Sequence, residues 1–299
     1  MPLKTIMPPE PSIQDCLRDL RRRFGKAGID TAELDARLLV QAAAGLDHAS
    51  LILKAGDILS KPELRALEKM AQRRLVFEPV SRILGEREFY GRWFMVTSDV
   101  LDPRPDTETL VEVALKVAGR QQRKNEPLHI LDIGTGTGAI IISLLCELPD
   151  ARGLATDISK SGLEVARQNG CRLGVDSRLE FKETSWCRGV DQQFDMIVSN
   201  PPYIVESDIN NLAADVKNFD PKLALDGGKD GLQAYRQIAV QSPTCLKSGG
   251  SILLETGFDQ AELVVEIFRS VGFSEHCNVA TIQKDMGGND RVVTMVWNG

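Results

Sequence analysis

A glycine-rich turn between an apolar strand and an apolar helix is the feature that most constrains the fold. Residues 129–133 are mostly apolar, residues 139–145 are apolar apart from Ser143, and the turn between them consists of Gly134, Thr135, Gly136, Thr137 and Gly138. Glycine lets the backbone turn sharply and approach a ligand closely. The pattern therefore predicts a buried strand, a turn that can cradle a ligand, and a buried helix.

An acidic residue follows at the spacing that nucleotide-binding βαβ units use. Asp157 ends the apolar stretch 153–156 and lies 19 residues after Gly138 (157 − 138). A carboxylate at this distance commonly holds ribose hydroxyls. Gly134, Gly136 and Ala139 also satisfy the loose dinucleotide fingerprint, so a nicotinamide-dependent dehydrogenase and a merely structural turn are both compatible with this segment.

A second motif, Asn200-Pro201-Pro202-Tyr203, closely follows the apolar run 196–198. Proline is disfavoured inside a central strand, so the strand must end here. The Asn200 oxygen and the turn carbonyls offer acceptors, and Tyr203 adds an aromatic face. Such a pocket suits a planar NH2 group, in an amide or on a nucleobase. Asn-Pro-Pro also occurs in ordinary loops, and the motif gains meaning here from its position after a strand.

The arrangement of the remaining segments predicts an α/β protein with a second, smaller domain. Residues 1–80 contain three helical patterns, at 12–24, 31–44 and 60–78, and form a small N-terminal helical domain. Aromatic runs around Gly91 predict a β-hairpin linker over 81–105. Strands at 128–133, 153–157, 178–182, 194–199 and 251–255 alternate with helices over 106–299. This alternation indicates a mostly parallel sheet covered on both faces.

Two smaller features receive an interpretation from sequence. Asp106 is expected to cap a helix that begins at Thr107. The arginine runs 21–23 and 73–74 either bind a partner or form ordinary solvated helix surface.

The turn at 134–138, Asp157 and the tetrapeptide at 200–203, in that order, resemble a class I S-adenosylmethionine-dependent methyltransferase. More specifically, the chain resembles the HemK/PrmC family, the N5-glutamine methyltransferases of peptide-chain release factors. Three further segments carry this resemblance, which spans roughly residues 31–297: 104–110, 230–236 and 284–293. One departure is Asp102 before Pro103, where an apolar residue is expected.

The resemblance implies a Rossmann-like sheet that ends in an antiparallel hairpin near 275–297. It assigns residues 134–138 to the methionine and sugar region of S-adenosylmethionine, Asp157 to the ribose and Trp186 to the adenine neighbourhood, although Trp186 is equally compatible with a core position. Asn200, Pro201, Pro202 and Tyr203 form the catalytic motif. The implied substrate is the glutamine of the Gly-Gly-Gln motif in class-1 release factors, which the N-terminal domain is expected to recognise.

Alternative functions remain open on sequence alone. A ribosomal protein could replace the release factor as the glutamine substrate, and N6-adenine DNA methyltransferases use the same tetrapeptide. A DNA enzyme should carry a basic recognition region, whereas the net charge here is −6. A non-catalytic donor-binding module would have no reason to keep an amide-shaped pocket. Stable nucleic-acid binding is therefore not expected.

The cysteine and apolar patterns indicate where such a chain works. Six cysteines form no Cys-x-x-Cys pair and accompany three histidines, so no metal site is expected. No apolar run approaches the roughly 20 residues that span a bilayer. The N-terminal residues lack an apolar signal core. These features predict a cytoplasmic protein that does not enter membranes.

Overall fold

The computed structural model describes residues 10–121 and 126–299, and the chain divides into two compact units between Gly85 and Glu86. The sequence places this boundary at residue 80 and assigns 81–105 to a linker. The structure instead continues the first unit through a fifth helix, and it includes the β-hairpin in the second unit.

The first unit is helical and begins its two longest helices with predictable caps. Its helices are α1 (Ile13–Lys26), α2 (Ala32–Ala44), α3 (His48–Leu53), α4 (Lys61–Leu75) and α5 (Val80–Leu84). Ser12 and Asp15 form a capping box at α1, and Ser60 and Glu63 form one at α4. Gly45 ends α2 in the left-handed conformation, which costs glycine no strain. The three predicted helices are confirmed, while α3 and α5 were not predicted.

The two arginine runs of this unit are engaged in ion pairs within it. Arg21 pairs with Glu33 and Arg22 with Asp19, while Arg23 binds Glu68. Arg73 binds Glu78, and the buried Arg74 donates to Asp35 over 2.7 Å. These contacts favour the interpretation of the runs as helix surface and internal ion pairs over a dedicated basic patch.

The second unit begins with a β-hairpin that packs on its own core. Strands β1 (Glu86–Phe89) and β2 (Arg92–Met95) pair in antiparallel register. Phe89 and Phe94 are buried and meet edge to face with centroids 6.0 Å apart. The Asn169 side chain accepts from the Met95 N–H over 2.7 Å and donates back to the Met95 carbonyl. The hairpin is thereby fixed to a helix of the second unit.

Eight strands of the described chain form one sheet with helices interspersed along the sequence. The elements that follow the hairpin are α6 (Glu108–Gln121), β3 (His129–Ile133), α7 (Ala139–Glu147), β4 (Arg152–Asp157), α8 (Lys160–Arg172), β5 (Leu179–Glu183), β6 (Phe194–Ser199), α9 (Ala214–Phe219), α10 (Gln233–Gln241), β7 (Leu246–Glu255), α11 (Ala261–Ser270), β8 (Phe273–Glu275), β9 (Ile282–Lys284) and β10 (Asp290–Trp297). The five predicted parallel strands are confirmed as β3 to β7.

The order of the strands places two of the predicted motifs beside each other. The sheet runs β5-β4-β3-β6-β7-β10-β8, and β9 also pairs with β10. Strands β3 to β7 pair in parallel, and β10 pairs antiparallel with β7, β8 and β9. The terminal antiparallel hairpin is thus confirmed, with its first arm divided into β8 and β9. The order in which successive strands join the sheet reverses between β3 and β6, and ligands of open α/β sheets bind at such a switch point.

One local prediction was wrong. Asp106 does not precede α6 as its N-cap, because residues 105–107 form a short 3-10 turn that leads directly into the helix at Glu108. Its carboxylate lies 3.3 Å from the Arg291 guanidinium instead. Within residues 10–121 and 126–299, no helix has the length and apolar character needed to cross a lipid bilayer.

Candidate active site

A cavity of about 710 Å³ opens at the carboxyl ends of β3, β4 and β6. It is lined by most of the residues predicted to form the site: Gly134, Thr135, Gly136, Thr137, Asp157, Trp186, Asn200 and Pro202. Gly138, Pro201 and Tyr203 are not among the described residues that line the cavity. The sequence therefore predicted the location of the cavity, although three of the predicted residues do not line it.

The glycine turn is held by backbone contacts from the neighbouring strand. The N–H groups of Gly134 and Thr135 both donate to the Thr156 carbonyl, over 2.8 and 3.0 Å. Asp157 accepts from the Gly136 N–H over 2.9 Å and from the Ser159 N–H over 2.8 Å. Burial raises the pKa of the Asp157 carboxyl, and these backbone donors oppose the rise. Asp157 therefore fixes the turn and also presents its carboxylate to the cavity.

A second carboxylate lies beneath the same turn. Asp132 is fully buried near the end of β3, and its Oδ2 accepts from the Thr135 hydroxyl over 2.6 Å. Burial raises the pKa of Asp132 to about 7. Sequence reasoning gave Asp132 no role, although a single carboxylate inside an apolar strand is a visible signal, because buried charges require a specific partner.

Trp186 forms part of the cavity wall in a strained backbone conformation. Its φ is +59°, which is rare for a bulky residue, and its carbonyl accepts from the Thr156 hydroxyl over 2.9 Å. Its side chain is half-buried against the apolar core of the sheet. Trp186 therefore packs on the core and also lines the cavity, while its contact with an adenine stays a prediction.

Asn200 is oriented by a residue far away in the sequence. Its Nδ2 donates to the buried Thr107 hydroxyl over 3.2 Å, across 93 positions of chain. With its amide nitrogen occupied in this way, Asn200 has its oxygen free to accept a hydrogen bond from a ligand. Thr107 lies in the segment 104–110, which sequence analysis singled out without giving this residue a role.

The backbone of Tyr203 is held from two sides. Gln260 Nε2 donates to the Tyr203 carbonyl over 2.9 Å, and Gly231 passes directly against the same carbonyl oxygen. Burial raises the pKa of the Tyr203 hydroxyl to about 12, so the phenol is neutral at physiological pH. Tyr203 therefore packs as a neutral aromatic ring against the apolar core of the sheet.

Replacement of Gly231 by alanine is expected to displace Tyr203. Gly231 has φ +72°, and a Cβ there would lie 2.5 Å from the Tyr203 oxygen and also clash with the Gln260 amide. We expect turnover to fall about 10- to 100-fold, because a misplacement of about 1 Å in the groups that position a substrate has effects of this order. Donor affinity, measured by calorimetry, should stay near the wild-type value.

The matched control is Gly249→Ala, which has φ +78° and open space around its Cβ position. It carries the same backbone strain without the steric clash. Equal turnover in the two variants would contradict the link between Gly231 and Tyr203.

Comparison with known proteins agrees with this geometry. Residues 15–85 match the model of the PrmC N-terminal domain, and residues 110–218 match the methyltransferase small domain. The chain is 46% identical over 250 residues to the release factor glutamine methyltransferase of Bradyrhizobium diazoefficiens, covering 84% of each protein. It is 42% identical over 274 residues to the protein of the same name from Agrobacterium fabrum, covering 92% of this chain and 93% of that one.

A solved structure resembles the fold at lower identity. The hMettl16 catalytic domain in complex with the MAT2A 3′UTR hairpin 6 superposes with a TM-score of 0.54 at 17% identity, covering 79% of this chain and 81% of that one. This likeness concerns the fold alone. The sequence identity to full-length relatives is decisive: the chain is a methyltransferase and belongs to the release factor glutamine methyltransferase family.

Proposed function

We propose that this enzyme transfers a methyl group from S-adenosylmethionine to the side-chain amide nitrogen of the glutamine in the Gly-Gly-Gln motif of class-1 peptide chain release factors. The observation that carries the proposal is the Asn200–Thr107 hydrogen bond, which leaves an amide oxygen available beside a donor-sized cavity. The names of the relatives support the same substrate.

The cavity fits the donor in size and in chemistry. Its volume of about 710 Å³ lies within the usual range for pockets of cofactor-sized ligands. A Cβ added at Gly134 or Gly136 would meet no atom within 4 Å, so the turn leaves open space at the cavity wall. Gly134, Gly136 and Asp157 would hold the donor's polar parts, and Trp186 would contact its adenine. The bound donor supplies an electrophilic methyl group.

Asp157→Ala is expected to weaken S-adenosylmethionine binding by about 1.5–3 kcal/mol, the range for hydrogen bonds to charged groups. The carboxylate accepts from the ribose in this proposal, and it also holds Gly136 in place. Calorimetric titration of both proteins measures the change, with the exposed Asp176→Ala as the control. Unchanged affinity would refute the ribose assignment, and tight NAD binding by the wild type would instead support a dehydrogenase.

An amide nitrogen is a poor nucleophile, and in this proposal the residues at 200–203 compensate by holding it in place. Asn200 Oδ1 and the Pro201 carbonyl would accept the two N–H bonds of the glutamine side chain, and Tyr203 would pack behind this site. Fixing the nitrogen in line with the methyl group supplies much of the rate. The same acceptors bind the nitrogen more strongly as positive charge develops on it. A proton then leaves the nitrogen for water.

We assign recognition of the release factor outside its glutamine loop to the N-terminal unit. The compact boundary at Gly85 allows a chain that begins at Glu86 to be tested. Once its solubility and donor binding are verified, we expect its kcat/KM on the whole release factor to fall at least about 10-fold more than on a short glutamine peptide, because remote contacts act on the whole substrate. Equal losses on the two substrates would contradict a recognition role.

A further inference from the structure

Glu255 is a buried carboxylate to which the mechanism above gives no role. It ends β7 and is 1% exposed. Neither of its carboxylate oxygens is in full hydrogen-bond geometry with a partner among residues 10–121 and 126–299. Burying a carboxylate without full compensation is costly. A residue that carries such a cost next to an active site is a candidate for a functional role.

The strand register places Glu255 directly beside Asn200. Ser199 pairs with Leu254 across β6 and β7, so the next residues along these parallel strands, Asn200 and Glu255, are also lateral neighbours. The Thr107 hydroxyl, which accepts from Asn200, and the Asn200 side chain both lie close enough to the Glu255 carboxylate to lower its pKa by hydrogen bonding. The three side chains therefore form one cluster behind the cavity wall.

The guanidinium nearest to Glu255, that of Arg291, is bound to other carboxylates. Arg291 donates to Asp285 over 3.0 and 3.1 Å and to the Thr256 carbonyl over 3.2 Å, and it pairs with Asp106 over 3.3 Å. Its charge favours ionisation of Glu255, while its hydrogen atoms point to these other acceptors. The remaining acceptor capacity of Glu255 is thus directed toward Thr107 and Asn200.

We propose that Glu255 is a positioning residue: its ionised carboxylate accepts from the Thr107 hydroxyl, Thr107 accepts from Asn200 Nδ2, and Asn200 Oδ1 is thereby held toward the methyl acceptor. That the methyl acceptor is a glutamine amide rests on the proposed function. An ionised carboxylate can only accept hydrogen bonds, so it fixes which group donates and which accepts in both hydrogen bonds. A protonated Glu255 instead donates a hydrogen bond to the Thr107 oxygen. The Thr107 hydroxyl hydrogen can then bind Asn200 Oδ1, so the Asn200 amide can rotate by about 180° and lose its orientation.

The ionisation of Glu255 falls in an accessible pH range. Burial raises its pKa to about 7, and Thr107, Arg291 and Asn200 oppose the rise. The other titratable groups facing it are Asp106, Tyr203 and Tyr235, and burial raises the pKa of both tyrosines above the physiological range. Asp132 also has a pKa raised to about 7 but lies beneath the donor turn. It is unchanged in a Glu255 variant, so the difference between wild type and variant isolates Glu255.

The kinetic test compares wild type with Glu255→Gln at saturating donor. Wild-type kcat should rise with pH through about 7 and reach a plateau. The variant should have a kcat about 10- to 100-fold lower at the plateau, the usual effect of losing a group that orients a site residue, and should lack this pH step. Its donor affinity should be unchanged. Wild-type turnover or a retained pH step in the variant would overturn the proposal.

Thr107 variants test whether the residues act in series. Thr107→Ser keeps the hydroxyl and should retain kcat within about 3-fold, whereas Thr107→Val should lose as much as Glu255→Gln. The double variant Glu255→Gln/Thr107→Val should be no slower than Thr107→Val alone, because groups acting through one chain are not additive. Fully additive losses would overturn the proposal that Glu255 acts through Thr107.

A stability measurement separates positioning from a structural role. The pKa of folded Glu255 lies above the ordinary glutamate value, so the folded state loses stability from this group as pH rises from about 4.3 to 7. Glu255→Gln should therefore be at least as stable as wild type at pH 8. Marked destabilisation of the variant at this pH would support a structural role and overturn the proposal.

A spectroscopic measurement needs no methyl acceptor and so stands apart from the proposed function. With ¹⁵N-labelled asparagine, the Asn200 side-chain signal is identified as the one missing in Asn200→Asp. It should shift with pH through a midpoint near 7 in the wild type and stay constant in Glu255→Gln. A signal that does not titrate in the wild type overturns the positioning chain. If the signal titrates but the protein does not methylate release factors, the hydrogen-bond series from Glu255 to Asn200 is supported and the proposed function is refuted.

Discussion

Asn200→Ala is expected to lower turnover by about 10²–10³-fold, the effect of removing one preorganised polar group from an active site. The side chain is held by Thr107 and lines the cavity, so its truncation removes a fixed acceptor for the glutamine amide. The measurement is the rate of methyl transfer to purified release factor at saturating donor. Donor affinity is expected to fall less than turnover, because the groups proposed to bind the donor, Asp157 and the glycine turn, remain.

The matched control for this prediction is Asn298→Ala. Asn298 is exposed and follows β10, whose antiparallel direction places its end at the opposite edge of the sheet. It should turn over at the wild-type rate. Near-normal turnover of Asn200→Ala, with the control also normal, would show that Asn200 does not orient the acceptor.

Gly138→Ala is expected to lower the free energy of unfolding of the second unit by about 2–5 kcal/mol. Gly138 has φ +80°, and a Cβ there would lie 2.7 Å from Ile142 Cδ1 and 3.2 Å from Ala166 Cβ. A left-handed conformation costs an alanine about 1–2 kcal/mol, and overpacking a core adds about 1–3 kcal/mol. This residue was predicted to contact the donor, whereas the structure places it at the start of α7, against the core.

The control for this prediction is Gly174→Ala, which has φ +72° and no atom within 4 Å of the Cβ position. It should lose about 1–2 kcal/mol, the backbone contribution alone. The three tryptophans, at positions 93, 186 and 297, all lie in the second unit, so denaturant unfolding followed by their fluorescence reports on that unit. Equal losses in the two variants would show that α7 adapts to the added methyl group.

The sequence predicted those parts of the fold that local patterns determine. The five parallel strands are apolar runs bounded by polar, glycine or proline residues, and the capped helices α1 and α4 begin at Ser12 and Ser60. The helices α3 and α5 have only six and five residues, too few for a helical repeat to stand out. The same limit applies to the three-residue strands β8 and β9.

The site was predictable where each motif follows a strand, since parallel strand ends meet at one edge. The contacts that tune it were not. Thr107 reaches Asn200 across 93 positions, and Gln260 reaches Tyr203 across 57. Such contacts depend on strand order and register, which periodicity within a segment does not reveal. Glu255 was overlooked for the same reason, because its neighbour Asn200 is adjacent only across two paired strands.

The measurement that tests the central claim most directly is methyl transfer from labelled S-adenosylmethionine to a purified class-1 release factor. Variants of the factor with the glutamine of its Gly-Gly-Gln motif changed to Glu or Ala serve as controls, because neither offers a planar NH2 group with two donors. The account predicts a single added methyl group on that glutamine by mass spectrometry, and no label in either variant. Label that persists in both variants, or that appears on a ribosomal protein or DNA instead, would contradict it.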